Sequence, residues 1–134
     1  MRPQTTLALL AVAACHGQSA GILTTLTGTQ WSFPTGKIEA RQAPLGRVEG
    51  IALHPDGSVY LADPDNHLVL RYDRQTGLIE RVAGGITGFC GDGGPAVHAC
   101  LSSPMAVAID LQGQIYVADY GNNRIRLIDT EGKI

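Results

Sequence analysis

The chain is poor in charge. Asp, Glu, Lys and Arg make up only 16% of its 134 residues, and no basic run occurs anywhere. The electrostatic footprint of a nucleic-acid binder is therefore missing. Disorder is also excluded, because it needs high charge and little apolar content, whereas 44% of these residues are hydrophobic. No segment after residue 21 approaches the length of a transmembrane helix. Ser/His/Asp, zinc-ligand and phosphate-loop motifs do not appear. Cysteine is limited to three residues, Cys15, Cys90 and Cys100.

What is abundant is glycine, at 17 residues, which suits many short strands joined by tight turns. The first 21 residues read as an export signal. Arg2 supplies the positive end, and residues 7–14 (LALLAVAA) form an apolar stretch too short to span a bilayer. Residues 12–15 (VAAC) also resemble a lipobox that would lipidate Cys15, so ordinary cleavage and a lipid anchor both stay open. The expected location is secreted or periplasmic, or at the cell envelope if Cys15 carries lipid, and only then is a membrane a partner. Loss of Arg2 leaves nine Lys and Arg against twelve Asp and Glu. In an exported chain Cys90 and Cys100 are plausible disulfide partners, with two unpaired thiols as the alternative.

The dominant feature is a repeat at an offset of 56 residues. Residues 45–73 and 101–129 align without a gap, with Ala52/Ala108, Gly57/Gly113, Tyr60/Tyr116, Ala62/Ala118, Asp63/Asp119, Asn66/Asn122 and Asp73/Asp129 identical. The same offset pairs Gly28/Gly84 and Phe33/Phe89. Such a period means a repeat architecture. It divides the chain into a leader (1–21), a first unit (22–77) and a second, incomplete unit (78–134). Alternating and apolar runs predict strands near 48–53, 58–62, 68–72 and 78–83, then 104–109, 114–118 and 124–128. A further run at 22–27 aligns with 78–83. Gly57 and Gly113 stand where hairpin turns need positive φ.

Residues 105–109 (MAVAI) are continuously apolar, which predicts burial on both faces, as at a crowded centre. Arg124-Ile125-Arg126-Leu127 alternates, so one face should meet water. That gradient fits an antiparallel blade. Leu68 and Leu70 stand in the first unit where the second has Arg124 and Arg126. They are expected to meet a neighbouring blade or a surface outside this chain.

The core Gly50-Ile51-Ala52-Leu53, with Gly57, Val59-Tyr60-Leu61-Ala62-Asp63 and Asn66, resembles an NHL repeat. Ala106-Val107-Ala108-Ile109-Asp110, with Gly113, Ile115-Tyr116-Val117-Ala118-Asp119, Asn122 and Arg124-Ile125, resembles it more closely. The connection 88–96 (GFCGDGGPA) is similar to an insertion of exported bacterial NHL proteins, which usually carry Ser at the place of Cys90. The resemblance implies an all-β fold, a β-propeller of four-stranded antiparallel blades, of which about two are present here as a partial or truncated propeller. Propellers typically have four to eight blades, so further blades or self-association would be needed to close a ring.

Asp63, Asn66, Asp119 and Asn122 could offer oxygen ligands to a cation, but they recur once per unit and therefore read as structural turn residues. Asp92, His54, His67 and His98 read as turn or surface residues. Tyr60 and Tyr116 repeat and read as core, whereas Trp31, Phe33 and Tyr120 lie in connections that could form a recognition surface. No catalytic, cofactor or metal site is assigned. The expected role is a binding or scaffold module for a protein or small ligand. The alternatives are part of a metal-dependent lyase or lactonase-like propeller, and a non-functional truncated chain.

Overall fold

In the computed structural model, residues 33–134 are described. The leader with Cys15, the 22–27 run and Trp31 lie outside them. The elements run β1 (Ile38–Glu39), β2 (Gly50–Leu53), β3 (Val59–Asp63), β4 (Leu68–Asp73), β5 (Leu78–Gly84), β6 (Pro104–Ile109), β7 (Ile115–Asp119) and β8 (Arg124–Ile128). Single 3₁₀ turns lie at Ala40–Gln42, Ala96–His98 and Tyr120–Asn122.

Every extended pairing between these strands is antiparallel. One sheet has the order β1-β5-β4-β3-β2 and the other β6-β7-β8. Strands β2–β5 form one four-stranded meander, here blade 1, and β6–β8 form three strands of blade 2. The register repeats with the sequence: Ala52 faces Tyr60 across β2 and β3, and Ala108 faces Tyr116 across β6 and β7. Turn chemistry fixes that register, since Gly57 and Gly113 adopt φ of 86° and 85°, values that L side chains adopt only with strain. Residues 93–96 pair with the chain around Lys133 through the Pro95–Lys133 bridge. Blade 1 has the counterpart of this contact in β1 against β5.

Two apolar clusters hold the structure. The larger lies between the blades. Blade 1 contributes Tyr60, Ala62, Val69 and Ala83; blade 2 contributes Val107, Ile115, Val117 and Ile128, with Ala52 and Ile109 at its margin. Each fully buried Val or Ile contributes about 1.5–3 kcal/mol relative to exposure. Gly50 lets the inner strands meet: a Cβ there would lie 2.7 Å from the Ala106 Cα. The smaller cluster joins Phe33, Leu68, Leu70 and Ile79.

The smaller cluster corrects the expectation for Leu68 and Leu70. They meet the connection of their own unit, because Phe33 folds back onto them. Phe33 itself is buried, 4% exposed, and so belongs to the core and not to a recognition surface. Three further expectations from periodicity are also corrected. On β8 it is Arg126 that is buried, while Ile125 and Leu127 face solvent. On β6, Ala106 and Ala108 are exposed, so burial is one-sided. Tyr116 is 37% exposed where its repeat partner Tyr60 is buried. The common cause is that blade 2 packs on blade 1 through one face, and nothing among the described residues covers the other.

Candidate functional site

The polar residues of the repeat converge on the turn after the third strand position of each unit. In blade 1 the Asp63 carboxylate, fully buried, accepts from the Gly46 N–H at 2.8 Å, the Asn66 N–H at 3.1 Å and the Asn66 side-chain amide at 2.9 Å. The same amide donates to the Pro44 carbonyl at 3.3 Å. Blade 2 repeats the arrangement. Asp119, also fully buried, accepts from the Ser102 N–H at 2.7 Å and the Asn122 amide at 2.7 Å. Asn122 donates in turn to the Gly88 carbonyl at 2.7 Å. Each carboxylate thus ties the chain entering its blade to the turn leaving it. A buried carboxylate is tolerable only with such a set of donors, and in both copies those lone pairs are committed to the fold.

Blade 2 adds a second layer. Arg126, whose side chain is 3% exposed, lies 3.3 Å from the Asp119 carboxylate and pairs with Asp92. It also donates to the Cys100 carbonyl at 3.1 Å and the Cys90 carbonyl at 3.2 Å. Cys90 and Cys100 are joined by a disulfide, so one guanidinium holds both ends of a covalently closed loop. The Phe89 ring, 46% exposed, lies 3.7 Å from the guanidinium carbon of Arg124 and 5.0 Å from that of Arg126. Beside it opens a groove of about 650 Å³ lined by Asp92, Arg124, Arg126, Leu127, Lys133 and neighbouring residues.

The histidines have local duties. His54 Nδ1 accepts the Asp56 N–H at 3.2 Å, and its ring lies 5.6 Å from that of Tyr60. His67 has φ of 57°, and its Nδ1 accepts the Ser103 N–H at 3.0 Å, a hydrogen bond from one blade to the next. His98 is exposed. A second polar network lies at the far turn of blade 1. There Arg71 bonds Glu80 at 3.1 Å, Asp56 at 3.2 Å and the Ser58 hydroxyl at 3.1 Å. Hydrogen bonds from the Ser58 hydroxyl and N–H hold the Asp56 carboxyl well below the usual carboxylate range. Burial pushes the Tyr60 phenol up. Among the described residues no group of three or more His, Cys, Asp or Glu is placed to hold a metal ion.

Sequence reasoning singled out the Asp/Asn pairs and the two cysteines, but passed over Phe89 and Arg126. The signal was present in the alignment. Phe89 stands at the offset of Phe33, and Arg126 replaces Leu70. The two exchanges together turn a ring on leucines into a ring on guanidinium groups.

Two antiparallel sheets packed face to face, each opening on an inner strand and repeating the same turn clamp, define part of a β-propeller. A family description for the teneurin NHL domain matches residues 72–134. Teneurin-4 of Homo sapiens is 35% identical over 102 residues, covering 66% of this chain and 4% of that protein. The chloroplastic protein Suppressor of quenching 1 of Arabidopsis thaliana is 38% identical over 89 residues, covering 66% of this chain and 8% of its own length. The chain thus spans a small part of the relatives it matches. A solved protein of unknown function from Bacteroides thetaiotaomicron superposes with a TM-score of 0.58 at 22% identity, covering 64% of this chain and 22% of that one. A streptogramin B lyase structure does so with a TM-score of 0.51 at 19% identity, covering 68% and 26%. The chain belongs to the NHL-repeat family. None of the helices among the described residues is long and apolar enough to cross a membrane.

Proposed function

We propose that this chain is an exported NHL-repeat propeller segment that acts as a binding module, with the connection 88–100 and the groove beside it as its recognition surface. The observation that carries this reading is the way that connection is held. A disulfide and the buried Arg126 fix it at both ends, while Phe89, Arg124 and Lys133 remain open to solvent. Rigid loops on a packed scaffold bind with little ordering cost, and a ring beside a cation suits a ligand with both an apolar and an anionic part. The repeated carboxylates do not compete for that role, since Asp63 and Asp119 are occupied by backbone donors. The likeness to streptogramin B lyase is one of fold and brings no reacting residues with it. Export is supported by the Cys90–Cys100 bridge, which persists in oxidising compartments.

Selection from a random peptide phage library on the immobilised chain tests the reading. Enriched peptides should lose at least about tenfold in affinity against Arg124→Glu or Phe89→Ala. Failure to enrich any peptide, or peptides indifferent to both substitutions, would overturn it.

A further inference from the structure

We propose that this chain docks head to tail onto a second copy of itself, the open face of blade 2 in one copy covering the open face of blade 1 in the next. The template is the seam already present within the chain. On its blade 1 side stand Ala52, Tyr60, Ala62 and Val69; on its blade 2 side stand Val107, Ile109, Ile115, Val117 and Ile128. The repeat carries each set a second time. Ala108, Tyr116, Ala118 and Ile125 occupy on blade 2 the positions of the first set, three of them identical. Ile51, Leu53, Val59, Leu61 and Tyr72 occupy on blade 1 the positions of the second set.

Both of these second sets present apolar groups to water. Ile125 is 69% exposed, Leu127 42% and Tyr116 37%; on the opposite side of the molecule Ile51 is 68% and Leu53 66% exposed. Contiguous exposed apolar side chains of this kind mark interaction surfaces. What covers them is indicated by complementarity on the page: each open face is the repeat counterpart of the other face's partner. Only another copy of this chain supplies both halves of the match. Position 127 strengthens it, since blade 2 has Leu127 where blade 1 has Arg71, so the open face is less polar than the one that already packs. The contact joins two different surfaces, so it is heterologous, and its repetition closes a ring or extends a filament.

Sedimentation velocity on the intact chain tests this. The wild-type chain should gain mass with concentration in multiples of the protomer. Leu53→Glu and Ile125→Glu each place a carboxylate on one open face at a solvent-exposed site, and each alone should weaken association at least tenfold. An equimolar mixture of the two should restore a one-to-one dimer and go no further, because each variant keeps the face the other has lost. A wild-type chain that stays monomeric at tens of micromolar overturns the proposal, and this result needs no variant to fold. So does a dimer that either single variant retains, or a mixture that stays monomeric while both variants keep the wild-type circular dichroism. Phe89 and Arg124 are untouched in these variants, so peptide binding there can be measured separately.

Discussion

Blade 1 and blade 2 secure the same connection by different chemistry. In blade 1 the Phe33 ring packs on Leu68, Leu70 and Ile79. In blade 2 the Phe89 ring lies against Arg124 and Arg126, and Arg126 spends its remaining donors on Asp119, Asp92 and two carbonyls. The backbone is the same, and the offset of 56 residues is kept. The apolar version is non-directional and gains free energy in proportion to buried area. The ionic version fixes direction, but its attraction is largely offset by the desolvation of the charges. The difference teaches that the second blade's loop is built for definition more than for strength, and the disulfide supplies part of what the charges do not.

The comparison breaks most sharply at Arg126. Arg126→Leu installs the blade 1 residue without the blade 1 cluster and leaves Asp119 buried beside fewer donors. Urea denaturation should show a loss of about 3–5 kcal/mol, the usual cost of orphaning a buried charge, and Asp119→Asn in the same chain should recover part of it. A loss below about 1 kcal/mol would mean that the pair is dispensable. Next in size is the disulfide. Replacing both Cys90 and Cys100 by Ser should lower stability by about 3 kcal/mol in the chain-entropy account of so short a loop. Hydrogen exchange should then rise at residues 88–100 and stay unchanged at residues 33–43, whose connection depends on Phe33 alone. Equal loosening of both loops would show that the two clamps are not independent.

The smallest expected effect concerns acid. Asp56 has a folded pKa depressed by the Ser58 hydrogen bonds, so its contribution is complete above the unfolded value near 3.9 and is lost as pH falls through the lower folded value. Its side chain is 45% exposed, and solvent screening keeps the effect below about 1 kcal/mol. Asp56→Asn should flatten the acid limb of a pH–stability curve by that amount. No flattening would show that the Asp56–Ser58–Arg71 network, which blade 2 replaces with Gln112, Gln114 and Leu127, is indifferent to charge.

Much of this was legible in the sequence, for a reason tied to the repeat. Paired positions such as Tyr60/Tyr116 and Asp63/Asp119 show which residues share an environment, and the turn glycines set the strand limits. What failed was the reading of burial. Alternation in Arg124–Leu127 correctly reports two faces, but cannot say which one packs; Arg126 is inside because the connection from 88 to 100 folds over it with carbonyls and Asp92. Likewise the apolar stretch 105–109 is built for burial on both sides, and only one side is covered by the described residues. Phe89 escaped notice because its role depends on partners 35 and 37 positions away in sequence, Arg124 and Arg126, and no local pattern connects them.

The glycine at position 50 has a geometric sequel. It lets β2 press directly against the backbone of Ala106, but the residue at its own offset in blade 2 is Ala106, not glycine. Any blade laid against the open side of blade 2 therefore meets a methyl group where the internal seam has none. The two seams must then stand at different widths near the axis, so the blades of an assembled disc would be spaced unevenly around the hub, with Ala106 as the wedge.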